Sequence, residues 1–215
     1  MTPLWFNVAL AAPLPDVGSS ATWIGTQSVV GVRSIPLIGT VEFRTDSRVL
    51  ATVSRTSEGR IELVQRVCGI VFSRALGAEM HLDPTAPRAM APTRLAFDRA
   101  ADGSWLAGPW PSGWTADDHD HDGHPGITVR VKAPVCGGGL HVASTGTNHA
   151  TAPADPRSGH IKVWVEQDIL GSEGACLRIM ARDRDEWLEG RYRYEDAPAA
   201  STCDTITEWP NAWAD

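Results

Sequence analysis

The chain has 215 residues, a formal charge of −7 and 21% charged residues, with no Lys/Arg cluster, which argues against a phosphate-tracking surface and nucleic acid as a partner. Twenty Gly, fifteen Pro and nine Trp suit short strands, many turns and aromatic contact surfaces, and argue against disorder. No run approaches the roughly 18 apolar residues that span a bilayer, so no membrane span is expected.

The opening "MTPLWFNVALAAPLPD" has an apolar stretch and a small-residue Ala9-Leu10-Ala11 site, yet no Lys or Arg precedes Arg33. Residues 1–19 therefore read as a degenerate export signal or as an apolar arm packed on the fold. The first reading places the protein in the cell envelope or outside the cell; the second is compatible with the cytoplasm. From residue 20, alternation of apolar and polar side chains dominates. Residues 22–33, 40–45, 48–55 and 60–72 are expected strands, with a hairpin turn at Ser57-Glu58-Gly59. Val49, Ala51 and Val53 share one face, as do Ile61, Leu63, Gln65 and Val67, which describes an antiparallel meander buried on one side. Residues 73–92 carry three prolines and no clear period, and read as a long connection with a short helical turn.

The chain resumes with "TRLAF" from residue 93 and a turn at Asp102-Gly103, followed by "SWLAGPWPSGW". Trp105, Trp110 and Trp114 there, with Trp164 further on, are candidate stacking residues for an apolar or ring-shaped ligand; core filling is their alternative role. After the loop "DDHDHDGHPG", "ITVRVKAP" alternates as a half-buried strand, and "LHVAST", "HIKVWVEQDI" and "CLRIMAR" supply three more. Residues 183–197 are polar enough for a surface helix, interrupted at Gly190. The expected fold is all-β: an antiparallel closed or nearly closed barrel over residues 20–182, one or two short helices, and a polar C-terminal segment, 183–215, packed on it. Cys68, Cys136, Cys176 and Cys203 contain no C-x-x-C; two disulfides in any of three connectivities are open, and Cys176 with Cys203 is the pairing expected to staple the polar tail to the barrel.

The acidic loop carries the sharpest chemistry. Asp118, Asp120 and Asp122 occupy alternate positions and Gly123 supplies a sharp turn, the arrangement by which a loop wraps hard oxygen ligands around Ca²⁺. The His124 carbonyl is a further candidate ligand. Val129 stands where an EF-hand needs its bidentate Glu, so a missing ligand would come from Asp117, Glu166 or Asp168. Two other readings fit the same residues: a transition-metal site of His119 and His121 with carboxylate help, and a solvated acidic turn leading into the strand at Ile127. No nucleophile elbow, zincin helix, Walker loop or dinucleotide fingerprint is present, and no organic cofactor is expected. If its strand face lines a cavity, Glu166, beside Trp164 and Lys162, is a candidate general acid or base; otherwise the trio lies outside.

The strand meander, the export-like start and the tryptophan content resemble the lipocalin and wider calycin barrels over about residues 20–182, a resemblance that implies a single-domain cup for small hydrophobic molecules. The family's G-x-W departs here: Trp23 has Ala21 two places before it, whereas Gly103-Ser104-Trp105 sits in mid-chain. The stretch "DHDHDGHPGITVRV" also looks like a D-x-D-G-x-P-G-x-T-V segment of uncharacterised bacterial envelope proteins, which implies no activity. The resulting expectation is a binder of a small apolar or aromatic molecule, stiffened by a calcium loop. The alternative is a cofactor-independent barrel cyclase or isomerase assisted by Glu166.

Overall fold

The computed structural model describes residues 13–35, 39–74, 77–133, 136–198 and 200–206. Its strands are β1 (Ser20–Ile35), β2 (Gly39–Ser57), β3 (Arg60–Phe72), β4 (Glu79–Leu82), β5 (Thr93–Arg99), β6 (Trp105–Trp114), β7 (Ile127–Lys132), β8 (Gly138–Ala152), β9 (Ser158–Ser172) and β10 (Arg184–Asp196). The helices α1 (Ala86–Ala89), α2 (Ala175–Met180) and α3 (Cys203–Ile206) are each short. Eight strands close an antiparallel barrel in the order β1-β2-β3-β5-β6-β8-β9-β10, with β8 pairing β9 to complete the ring. Closure removes the open edges that an eight-stranded sheet would otherwise present.

The expected all-β barrel is thus the observed fold, and its strands form for the reason the sequence suggests. In β3, Ile61, Leu63 and Gln65 are buried while the residues between them face solvent, a period of two that buries one side of the wall. The inward side chains meet in two clusters. One end holds Trp23, Leu63, Phe97, Trp105, Tyr192 and Tyr194. The other holds Trp114, Ile127 and Val142 beneath Ala86 and Met90, and the Trp114 indole N–H donates to the Ala86 carbonyl at 3.0 Å. That bond seats α1 on the barrel end.

β6 and β7 lie along the same edge of β8, running in the same direction. Trp114 pairs with Ser144 and Ile127 with Val142, so residues 115–126 stand where a single residue opposite Ala143 would join the two strands. The loop is therefore an excursion from one wall position. Its ends are tied by Gly126 N–H to the Ala116 and Asp117 carbonyls at 3.0 and 3.1 Å, and by His119 N–H to the Gly126 carbonyl at 3.0 Å.

Three expectations change. Residues 183–197 are not a surface helix but mostly β10, which pairs β1 and β9 and completes the wall. Leu188, Tyr192 and Tyr194 point inward, and most of the charges that gave the segment its polarity, Arg191, Arg193 and Glu195 among them, alternate with these on the outer face. Residues 176–182 are not a strand: Gly174 turns the chain out of β9 at φ 96°, and α2 follows with Leu177 buried. An apolar run this short has no period that separates helix from strand. The disulfides are Cys68–Cys203 and Cys136–Cys176, not Cys176–Cys203. The first fastens α3 to the outer wall, where Cys68 packs with Ile24 and Ile206; the second fastens α2 beside the start of β8.

Residues 1–12, which hold most of the expected export signal or arm, lie outside the described residues. The arm is described from Pro13 onward, where Leu14 packs on the core. Gly18 N–H donates to the Arg55 carbonyl at 2.8 Å, holding the segment along β2.

Candidate functional site

A cavity of about 240 Å³ lies inside the barrel between the two clusters, reached by side chains of both. Ligand pockets usually run from roughly 300 Å³ upward, so this one suits a compact molecule rather than a long chain. Phe43, Trp110 and Trp114 bring aromatic faces to it, and Met80 and Met90 bring adaptable apolar ones.

Polar groups enter at fixed points. Asn148, 5% exposed, donates its amide to the Trp110 carbonyl at 3.0 Å and to Ser112 Oγ at 2.9 Å. Gln65, 4% exposed, accepts the Tyr194 hydroxyl at 2.7 Å. Burial pushes that phenol far above its ordinary pKa, so it stays a neutral donor. Glu186 is the sole carboxylate among the described lining residues, and it is gripped by Arg33: Nε at 3.0 Å and Nη2 at 2.6 Å from Oε1. The Arg33 guanidinium in turn lies 3.8 Å above the Phe43 ring. The two shortest Arg33 hydrogen bonds both end on Glu186 Oε1, so the carboxylate is engaged by Arg33 rather than presented free to the cavity.

The tryptophans divide. Trp110 and Trp114 line the cavity, as the ligand-binding reading requires. Trp105 fills the core at the other end, its indole N–H on the Ala154 carbonyl at 3.1 Å. Trp164 packs on Trp187 outside the barrel, ring centres 5.2 Å apart, with its N–H 3.3 Å from Glu166 Oε1. Glu166 is exposed and also receives the Thr145 hydroxyl at 3.3 Å; it does not line the cavity. Sequence reasoning missed Arg33 and Glu186. The signal for Glu186 was the even-numbered series with Leu188, Tyr192 and Tyr194, hidden by reading the segment as a helix.

The acidic loop brings Asp118, Asp120 and Asp122 together, with one oxygen of each within 4.8 Å of the others. Asp118 accepts the Asp122 and Gly123 N–H groups at 3.2 and 3.0 Å, which curls the loop around its own first carboxylate. Asp120 Oδ2 accepts Thr128 N–H at 2.8 Å, while its Oδ1 is buried without a hydrogen-bond partner. Asp122 accepts His124 N–H at 3.0 Å and the Thr128 hydroxyl at 2.5 Å. The Thr128 hydroxyl above all holds the Asp122 carboxyl below the usual carboxylate range. Asp117 instead takes the Thr115 hydroxyl at 2.8 Å, and the same hydroxyl lies 2.9 Å from His119 Nε2. His119 and His121 join no cluster of potential ligands among the described residues, whereas the His124 ring stacks on His141.

No family model, no curated protein and no solved structure matches the chain. What the site can do is carried by its own geometry.

Proposed function

We propose that this protein is an exported β-barrel that binds one compact apolar or aromatic molecule in its interior, with Ca²⁺ clamping the acidic loop on the outer wall. The observation that carries the reading is the cavity, lined by Phe43, Trp110 and Trp114 and closed into a continuous wall by β10. Two disulfides support export, since such bonds persist where thiols are not kept reduced. No described helix is long and apolar enough to cross a membrane. The cyclase or isomerase alternative is the weaker one, because Glu166 sits outside and Glu186 is paired.

Titration with 1-naphthol, followed by quenching of tryptophan emission, tests the binding reading. Saturable 1:1 binding is expected. Val29→Phe, which pushes a ring into the cavity, should weaken it by at least about tenfold, or 1.4 kcal/mol. Glu166→Gln should leave it unchanged. Equal binding by Val29→Phe would place the probe elsewhere and sink the proposal.

For the loop, three gathered carboxylates, with Asp120 Oδ1 among them buried and without a hydrogen-bond partner, support a hard cation. Calorimetry on chelator-stripped protein should show one Ca²⁺ bound, lost in the Asp118→Asn, Asp120→Asn double variant. At a hundredfold excess over Kd the ion would add about 2.7 kcal/mol to stability, read as a higher melting temperature. Calcium binding that survives the double variant removes the loop from consideration.

A further inference from the structure

The outer wall beneath the acidic loop carries a second constellation. His141 on β8 points outward, since its neighbours Leu140 and Val142 line the cavity, yet it is only 5% exposed because the loop folds over it. The His124 ring lies parallel above it, centres 4.0 Å apart. Glu173, just past the end of β9, brings Oε1 to 3.7 Å from His124 Nε2. One ligand atom from each of His124, His141 and Glu173 lies within 4.8 Å of the others.

We propose that these three residues bind a divalent transition metal of the zinc class, with a position left open for water. Two imidazole nitrogens and one carboxylate oxygen are the donor set that such ions take, and three protein ligands leave a four-coordinate ion one free site. Bonds of about 2.0–2.1 Å require donors roughly 3.4 Å apart, and an imidazole lone pair lies in its own ring plane, so closure needs the His124 ring to swing out of its stack on His141. The half-exposed side chains can supply that movement: His124 and Glu173 retain 43% and 40% exposure, whereas His141 is the fixed member.

The surroundings prepare His141 for this role. Thr128 gives its hydroxyl proton to Asp122 at 2.5 Å, so the same oxygen accepts from His141 Nδ1 at 3.0 Å. That relay puts the imidazole proton on Nδ1 and leaves the lone pair on Nε2, which has no hydrogen-bond partner among the described residues. A carboxylate that orients a ligating histidine through its other nitrogen is the usual outer support of such a site. Space is prepared as well. Gly171 stands opposite His141 in the β8–β9 ladder, and a Cβ there would sit 2.8 Å from the His141 ring. A Cβ on Gly139 would sit 3.0 Å from Glu173 Oε2. Arg130 holds that same oxygen at 2.7 Å, which leaves Oε1 for the ion, and the Cys136–Cys176 bond pins together the two segments bearing His141 and Glu173. The ligands are distinct from the three aspartates of the calcium proposal, although Asp122 supports His141.

The test is Zn²⁺ calorimetry and Co²⁺ absorption on the untagged, chelator-stripped full chain. One equivalent should bind, with cobalt giving the visible bands of a nitrogen- and oxygen-ligated four- or five-coordinate ion. His124→Ala and Glu173→Gln, both at half-exposed positions, should keep the native melting curve and lose affinity by about a hundredfold or more. Thr128→Val should keep one equivalent and lose about 10- to 100-fold, the effect of removing an orienting partner. Asp118→Asn with Asp120→Asn should bind zinc as the wild type does, whatever becomes of calcium. Failure to bind either ion, unchanged affinity in His124→Ala and Glu173→Gln, or zinc binding lost only in the aspartate variant would each overturn the proposal.

Discussion

Replacing Cys68 and Cys203 together by alanine is expected to lower stability by roughly 5 kcal/mol, because the bridge closes a loop with a sequence separation of 135 and the cost of closing a chain grows with the logarithm of its length. For a chain of this size that is a fall in melting temperature of about 10–20 °C. The far-ultraviolet spectrum of the sheet should persist at low temperature, since the bridge lies on the outer wall and the ladder bonds of β1 to β3 do not depend on it. The matching Cys136, Cys176 variant, with a separation of 40, should lose about 4 kcal/mol. Thermal melts of the two variants side by side decide whether chain entropy sets the difference; a larger loss in the Cys136, Cys176 variant would show that it does not.

Trp110→Ala should cost about 3–5 kcal/mol, the range for deleting a buried aromatic side chain. Trp110 is 4% exposed and belongs both to the main core and to the cavity wall, so its removal enlarges an existing space rather than opening a new one. The space that a deleted indole leaves accepts a small aromatic of matching size. Saturating indole should therefore restore part of the lost melting temperature in Trp110→Ala and do so more strongly than in Trp105→Ala, whose site lies away from the cavity. Equal rescue of both variants would mean that indole acts nonspecifically.

Much of the barrel was legible because one-sided burial leaves a two-residue period that survives in the sequence, as at Ile61, Leu63 and Gln65. The same period was present in β10, but Arg191, Arg193 and Glu195 on its outer face outweighed Tyr192 and Tyr194 in a reading based on polarity. Local signals carried the aspartate loop: Asp118, Asp120 and Asp122 are brought together by a turn that residues 118–123 encode themselves. Long-range encounters left no such mark. Arg33 and Glu186 meet across 153 positions, and His141 meets Glu173 only because β8 pairs with β9. Disulfide partners are likewise chosen by the wall they decorate: Cys68 on β3 and Cys203 on α3 share the outer cluster with Ile24, a proximity that spacing along the chain does not express.

The loop of residues 115–126 takes the place of one residue opposite Ala143. Its length is accordingly free of the barrel's register: residues can be added or removed there without shifting any strand pair on either side. The calcium binding proposed for the loop and the ligand binding proposed for the interior could then change independently, the first by rewriting a surface insert and the second by rewriting inward positions of the wall. An engineer could replace the whole insert by a single residue and keep the container, or lengthen it into a new recognition surface supported by a scaffold that needs no redesign.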